Sequence, residues 1–166
     1  MTIIDGLLAE LEQEAATTRR VLERIPQEHL SWRPHPKSMS LGQLALHVAT
    51  VPGLVAEIAA VDIAAPNSFN QPQAATAAEL VPALVESVAK AKRTLGTYDD
   101  AKMAATWRLQ KGGREVLAMP RVAFVRAIML NHWYHHRGQL LVYLRLLNLP
   151  VPSVYGPTAD ENPFAA

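Results

Sequence analysis

Asn131-His132-Trp133-Tyr134-His135-His136-Arg137-Gly138-Gln139-Leu140 holds half of the chain's six histidines and lies inside an apolar-periodic segment running from Pro120 to about Asn148. Met129, His132, Trp133, His136, Leu140, Tyr143, Leu144 and Leu147 recur there at the three- and four-residue steps of a helix. His132 and His136 are one turn apart, which puts their Cβ atoms roughly 5–6 Å from each other. That is the bite with which two imidazoles hold one metal ion, as in the H-E-x-x-H arrangement. A metal-binding reading of this helix requires a third ligand from elsewhere in the chain.

Working outward, the segment opens at Pro120, a good first-turn residue, and closes at Asn148 and Pro150. Upstream, Ser40-Leu41-Gly42-Gln43 is a capping box. It starts a second amphipathic stripe of Leu41, Leu44, Val48, Val51, Val55 and Ile58, with His47 inside it; Pro52-Gly53 predicts a kink in its middle. Ile4, Leu7, Leu8, Leu11, Ala15, Thr18, Val21, Leu22 and Ile25 predict a first helix, with Thr2 and Asp5 at its cap and Pro26 as its stop. Thr76-Ala77-Ala78-Glu79 reads as a further capping box before Leu80, Leu84, Val88, Ala91, Leu95 and Tyr98, with Pro82 either in the first turn or at a kink.

Between these segments, residues 26 to 39 form a proline-bearing connector in which Trp32 packs against helix ends. Residues 62 to 75, with Pro66, Asn67, Ser68, Asn70 and Pro72, read as an irregular loop. Residues 99 to 119 read as a second irregular loop, in which Thr106-Trp107-Arg108-Leu109 and Lys111-Gly112-Gly113-Arg114 leave room for a short hairpin. Val151 to Ala166 reads as an extended C-terminal tail. The expected fold is all-α: a four-helix bundle in one domain spanning 1–166.

The composition narrows the chemistry. The hydrophobic fraction is 49%, the charged fraction 19% and the formal net charge +1. That suits a globular domain and supplies neither a basic stripe for nucleic acid nor an acidic tail. There is no cysteine, so disulfides, Cys-ligated zinc, iron–sulfur clusters and a thiolate nucleophile are excluded, and any metal takes nitrogen or oxygen ligands. The start, Met1-Thr2-Ile3-Ile4-Asp5, lacks the basic region of a signal peptide, and no apolar run approaches the roughly eighteen residues of a membrane span. The expectation is a cytoplasmic protein with no nucleic-acid or membrane partner.

His47, His132 and His136 all fall on apolar stripes of helices that must pack together. Burying three titratable rings without partners is costly, and sharing one cation removes that cost. His135 points about a third of a turn away and makes a poor third ligand; His29 and His35 lie in the connector. Three histidines leave at least one coordination position open, the mark of a catalytic or substrate-binding metal rather than a structural one. The ligand set suits a divalent transition metal, Zn or Ni foremost, with Fe, Co, Cu or Mn as further candidates.

The sequence resembles the DinB/YfiT-like family of metal-binding four-helix bundles. The matching pieces are Leu30-Ser31-Trp32-Arg33-Pro34, Leu41-Gly42-Gln43-Leu44-Ala45-Leu46-His47-Val48-Ala49, His132-Trp133-Tyr134-His135-His136-Arg137-Gly138-Gln139-Leu140 and Val154-Tyr155-Gly156-Pro157-Thr158-Ala159-Asp160-Glu161. They span nearly the whole chain, and the His…His-x-x-x-His-Arg-Gly-Gln combination is the most specific of them. The resemblance implies that His47, His132 and His136 are the metal ligands, that the protein is a homodimer, and that its activity is of the family's kinds. These are thiol-dependent transfer with a low-molecular-weight thiol such as bacillithiol or mycothiol, and thiol-dependent isomerisation.

Two readings of function follow. In one, the metal makes a thiolate or hydroxide, and the protein is a metal-dependent transferase or hydrolase. A substrate-sized pocket lined by residues such as Trp107 and Trp133 would favour it. In the other, the site belongs to a non-enzymatic metal-binding or stress-response protein; a metal sealed under apolar side chains would favour that. A helical interaction module without metal is a third reading. Arg137 is expected to pair with a carboxylate, and Tyr155, Asp160 and Glu161 either close over the site or merely cover the bundle.

Overall fold

A computed structural model describes residues 2–66 and 71–165. Helix α1 (Ile3–Leu22) begins with the expected capping box, Thr2 and Asp5 each bonding the other's backbone N–H. It ends ahead of Pro26. Helix α2 (Leu41–Ala60) begins with the Ser40/Gln43 box. Helix α3 (Leu80–Leu95) follows a 3-10 turn at Ala77–Glu79.

The box expected at Thr76 does not form. The Glu79 carboxylate instead accepts from Ala75 N, and the Thr76 side chain caps nothing. Pro82 sits in the first turn of α3, where its missing N–H has no intrahelical partner to lose.

The segment from Arg121 is one continuous helical run of three kinds: α5 (Arg121–Phe124), a π-helical segment (Val125–Asn131) and α6 (His132–Leu146). The wider turn just before His132 was not anticipated. It shifts the phase of the helix, so that Trp133, Arg137, Leu140 and Leu144 point into the core. His132 and His136 are therefore half-buried at the edge of the core rather than on its central line.

Two expectations need correction. Of the two readings left open for the 99–119 segment the hairpin is present and the irregular loop is not: a short helix α4 (Asp100–Ala104) precedes an antiparallel hairpin of β2 (Thr106–Lys111) and β3 (Arg114–Pro120). Gly112 and Gly113 make its turn, both at positive φ, where glycine carries no steric penalty. The 62–75 segment likewise contributes a strand, β1 (Ile63–Ala64), parallel to β2. Asn67, Ser68 and Asn70 of that expected loop lie outside the described residues. Thus the helical bundle carries a small three-stranded sheet, ordered β1-β2-β3, at one end.

Pro52 lies inside α2. It cannot donate to Val48 O, its partner four residues back. That carbonyl accepts from the Trp133 indole at 2.7 Å instead, which ties α2 to α6. At Gly53, the backbone of α3 passes so close that an added Cβ would stand 2.9 Å from Ser87 O. The Gly53 N–H donates to Ser87 Oγ, which in turn donates to Thr50 O. Helix α2 is long and apolar enough to cross a membrane by length and composition, yet 56% of that apolar window is buried in the protein.

Candidate metal centre

Helices α2 and α6 lie side by side, held by Trp133 on Val48 O and by Tyr143 OH donating to Met39 O. This brings His47 to His132 and His136. Ring centroids are 5.3 Å (His47–His132), 4.7 Å (His47–His136) and 4.4 Å (His132–His136) apart. One nitrogen from each ring falls within 4.8 Å of the others. The structure thus brings together the three residues singled out from spacing. His135 is exposed, its ring 5.1 Å from that of His136.

The hydrogen bonds define which nitrogens face inward. His136 Nδ1 is 2.7 Å from Gln139 Oε1. An amide oxygen only accepts, so Nδ1 carries the proton and Nε2 keeps its lone pair. That Nε2 is 2.8 Å from His132 Nε2. His132 Nδ1 is buried without a hydrogen-bond partner. The Ile128 carbonyl draws on the ring without reaching hydrogen-bond geometry. With the His136 Nε2 lone pair accepting, His132 Nε2–H is the donor across the 2.8 Å contact, and a cation held by the two rings would take the place of that proton.

The rings are held neutral, as metal ligands must be. Burial pushes the His47 pKa down to about 4, reinforced by His136 and His132. Burial also lowers His132 and His136; the Gln139 hydrogen bond opposes the shift at His136. Three neutral imidazoles at the edge of the core fit a divalent transition metal.

Arg137, next to His136, turns inward. Its guanidinium donates to Glu14 Oε2 (2.5 Å), Glu14 O (3.1 Å), Thr18 Oγ1 (3.0 Å) and Tyr155 OH, with both members of the ion pair buried. Tyr155 OH donates in turn to Glu14. Glu14 was not among the residues read as functional: it is an acid on a helix rich in acids, and only the fold puts it under α6. Asp160 binds Arg145 and Val151 N, while Glu161 binds Arg20 and Ser153 N. The tail is therefore fastened along α1 and the Arg137 side of α6, and among the described residues its hydrogen bonds do not reach the histidines. Trp107 and Trp133 are core residues, not pocket walls: Trp107 stacks on Phe124, and each indole N–H is held by a carbonyl of α2.

The sequence profile of the DinB family matches residues 2–163. The chain belongs to the DinB family. Among DinB relatives of known structure, a DinB-like protein from Bacillus cereus ATCC 10987 is 25% identical, with a TM-score of 0.72 over 92% of this chain and 97% of its own. A DinB-like protein from Bacillus subtilis, YjoA, shares the fold at 22% identity and a TM-score of 0.68, over 90% and 96% of the two chains. In sequence, the uncharacterized protein YrdA of Bacillus subtilis is 27% identical over 167 residues, covering 95% of this DinB chain and 91% of YrdA.

Proposed function

We propose that His47, His132 and His136 hold one divalent transition metal, zinc or nickel, and that this DinB protein is a metal-dependent enzyme of the thiol-dependent transferase or hydrolase class. The observation that carries the reading is the convergence of three neutral imidazoles from two helices, with His136 oriented by Gln139. Three protein ligands leave a position for an exogenous group. A bound metal supplies Lewis acidity there, lowering the pKa of a thiol or water.

The chain's own residues prepare that position. Gln139 fixes the tautomer of His136, Trp133 locks α6 to α2, and the three rings are half-buried rather than sealed in the core. The partial exposure of the rings, rather than a pocket walled by Trp107 and Trp133, is what supports the enzyme reading. One observation favours the second reading, a non-enzymatic metal-binding protein: among the described residues the metal-competent group contains histidines alone. The acids Glu10, Glu14 and Glu57 of the packed helices pair instead with Arg126, Arg137 and Lys90.

Metal content of tag-free protein, measured by mass spectrometry beside His136→Ala, tests the site. Near-stoichiometric metal in the parent and its loss in the variant is the expected result. No metal in either after incubation with Zn or Ni refutes the triad. Turnover of an electrophile with a low-molecular-weight thiol by the loaded protein, absent in His136→Ala, separates the enzyme from the binding protein.

A further inference from the structure

The two helices that carry the three histidines also carry exposed apolar side chains farther along. Helices α2 and α6 run antiparallel, since Met39 meets Tyr143, Val48 meets Trp133, and Ala59 O accepts from Arg121 Nε. That register sets Leu54 within about one turn of Ile128. Leu54 follows His47 by seven residues, on nearly the same helical face and about 10 Å along the axis. Ile128 precedes His132 by four residues on the π-helical segment. Both are large apolar side chains left exposed, at 50% and 37%. The charges on these stretches turn elsewhere: Glu57 pairs with Lys90 of α3, and Arg126 with Glu10 of α1.

The hairpin stands at the far end of the same two helices. Trp107 Nε1 donates to Ile58 O, and its ring stacks on Phe124 at 3.9 Å. Trp107 pairs with Met119 and Leu109 with Leu117, so strand alternation puts Leu109 and Leu117 on the Trp107 face, one step nearer the hairpin tip. Leu117 is also left exposed. A metal held by the histidines would have these exposed, uncharged apolar side chains beside it along the helices, a lining that suits a ligand with an apolar portion.

We infer that the ligand of this centre is a small molecule with an anionic, metal-seeking head and an uncharged aliphatic tail, the tail lying along Leu54 and Ile128 towards Leu109 and Leu117. The inference rests on the metal reading above. The test uses full-length protein loaded with cobalt(II) and titrated, by visible absorption, with straight-chain alkyl hydroxamic acids from acetyl to octanoyl. Each added methylene tightens binding by about two- to fourfold until these side chains are covered. In Leu54→Asn/Ile128→Asn the gain per methylene falls towards onefold, with cobalt stoichiometry and the circular dichroism melt as controls of folding.

Cobalt bound at one per chain with a flat series overturns this inference and leaves the metal reading standing. Failure of cobalt to bind overturns both. A gradient that survives in the double variant places the tail elsewhere and overturns it. A parent dimer that becomes monomeric in the double variant identifies Leu54 and Ile128 as a subunit interface and also overturns it.

Discussion

Replacing Arg137 with methionine tests the claim that the ligand helix is held by a buried ion pair. Arg137 and Glu14 have side chains only 2% and 7% exposed, so solvent screens the pair little. The substitution removes four hydrogen bonds and leaves the Glu14 carboxylate buried with only Tyr155 for a partner. Breaking such a pair from one side costs about 3–5 kcal/mol. For a chain of 166 residues that lowers Tm by roughly 9–14 °C. Replacing both partners, as in Glu14→Leu/Arg137→Met, removes the stranded charge, and most of the loss returns. The assay is urea or thermal unfolding followed by circular dichroism on the four proteins of the double-mutant cycle. A loss below about 1 kcal/mol in Arg137→Met, or two additive single losses, refutes the argument that the buried charge dominates.

The remaining predictions concern the histidines and α2. Metal-free protein loses stability as pH falls from about 6.5 to about 4. The unfolded chain binds a proton at His47 in that window while the folded chain does not, so stability is complete above 6.5 and declines below it. Unfolding at a series of pH values reads the slope, His47→Leu flattens it, and an equal slope in that variant refutes the assignment. Gln139→Leu frees His136 to rotate and weakens metal affinity about 10- to 100-fold in a chelator competition; an unchanged affinity removes Gln139 from the site. Trp133→Phe strands the Val48 carbonyl and costs about 1–3 kcal/mol, part of which Pro52→Ala restores by returning an intrahelical donor. A double variant no more stable than Trp133→Phe counts against that exchange. Gly53→Ala presses a methyl against the Ser87 backbone and costs about 1–3 kcal/mol in denaturant unfolding, and a neutral result shows that α3 gives way.

The amino-acid sequence by itself determined the long helices of the bundle and the three histidines that the fold brings together. The caps at Thr2 and Ser40 and the three-four stripes are local signals, formed between residues no more than a turn apart. The His132/His136 spacing is equally local, and His47 was legible because a histidine in an apolar stripe needs a reason. Only the tertiary structure decided the hairpin, the π-helical segment and the partner of Arg137. The hairpin's apolar residues gain their meaning from Ile58 and Phe124, which no period in residues 99–119 reveals. The π-helical segment resets the phase between Phe124 and the last helix, so that Ile128, four residues after the buried Phe124, is exposed, which α-helical counting across the segment misassigns. Glu14 and Arg137 are 123 residues apart, and Val48 and Trp133 are 85 apart. Such pairings are fixed by packing and by the need to satisfy buried polar groups, and no spacing along the chain encodes them.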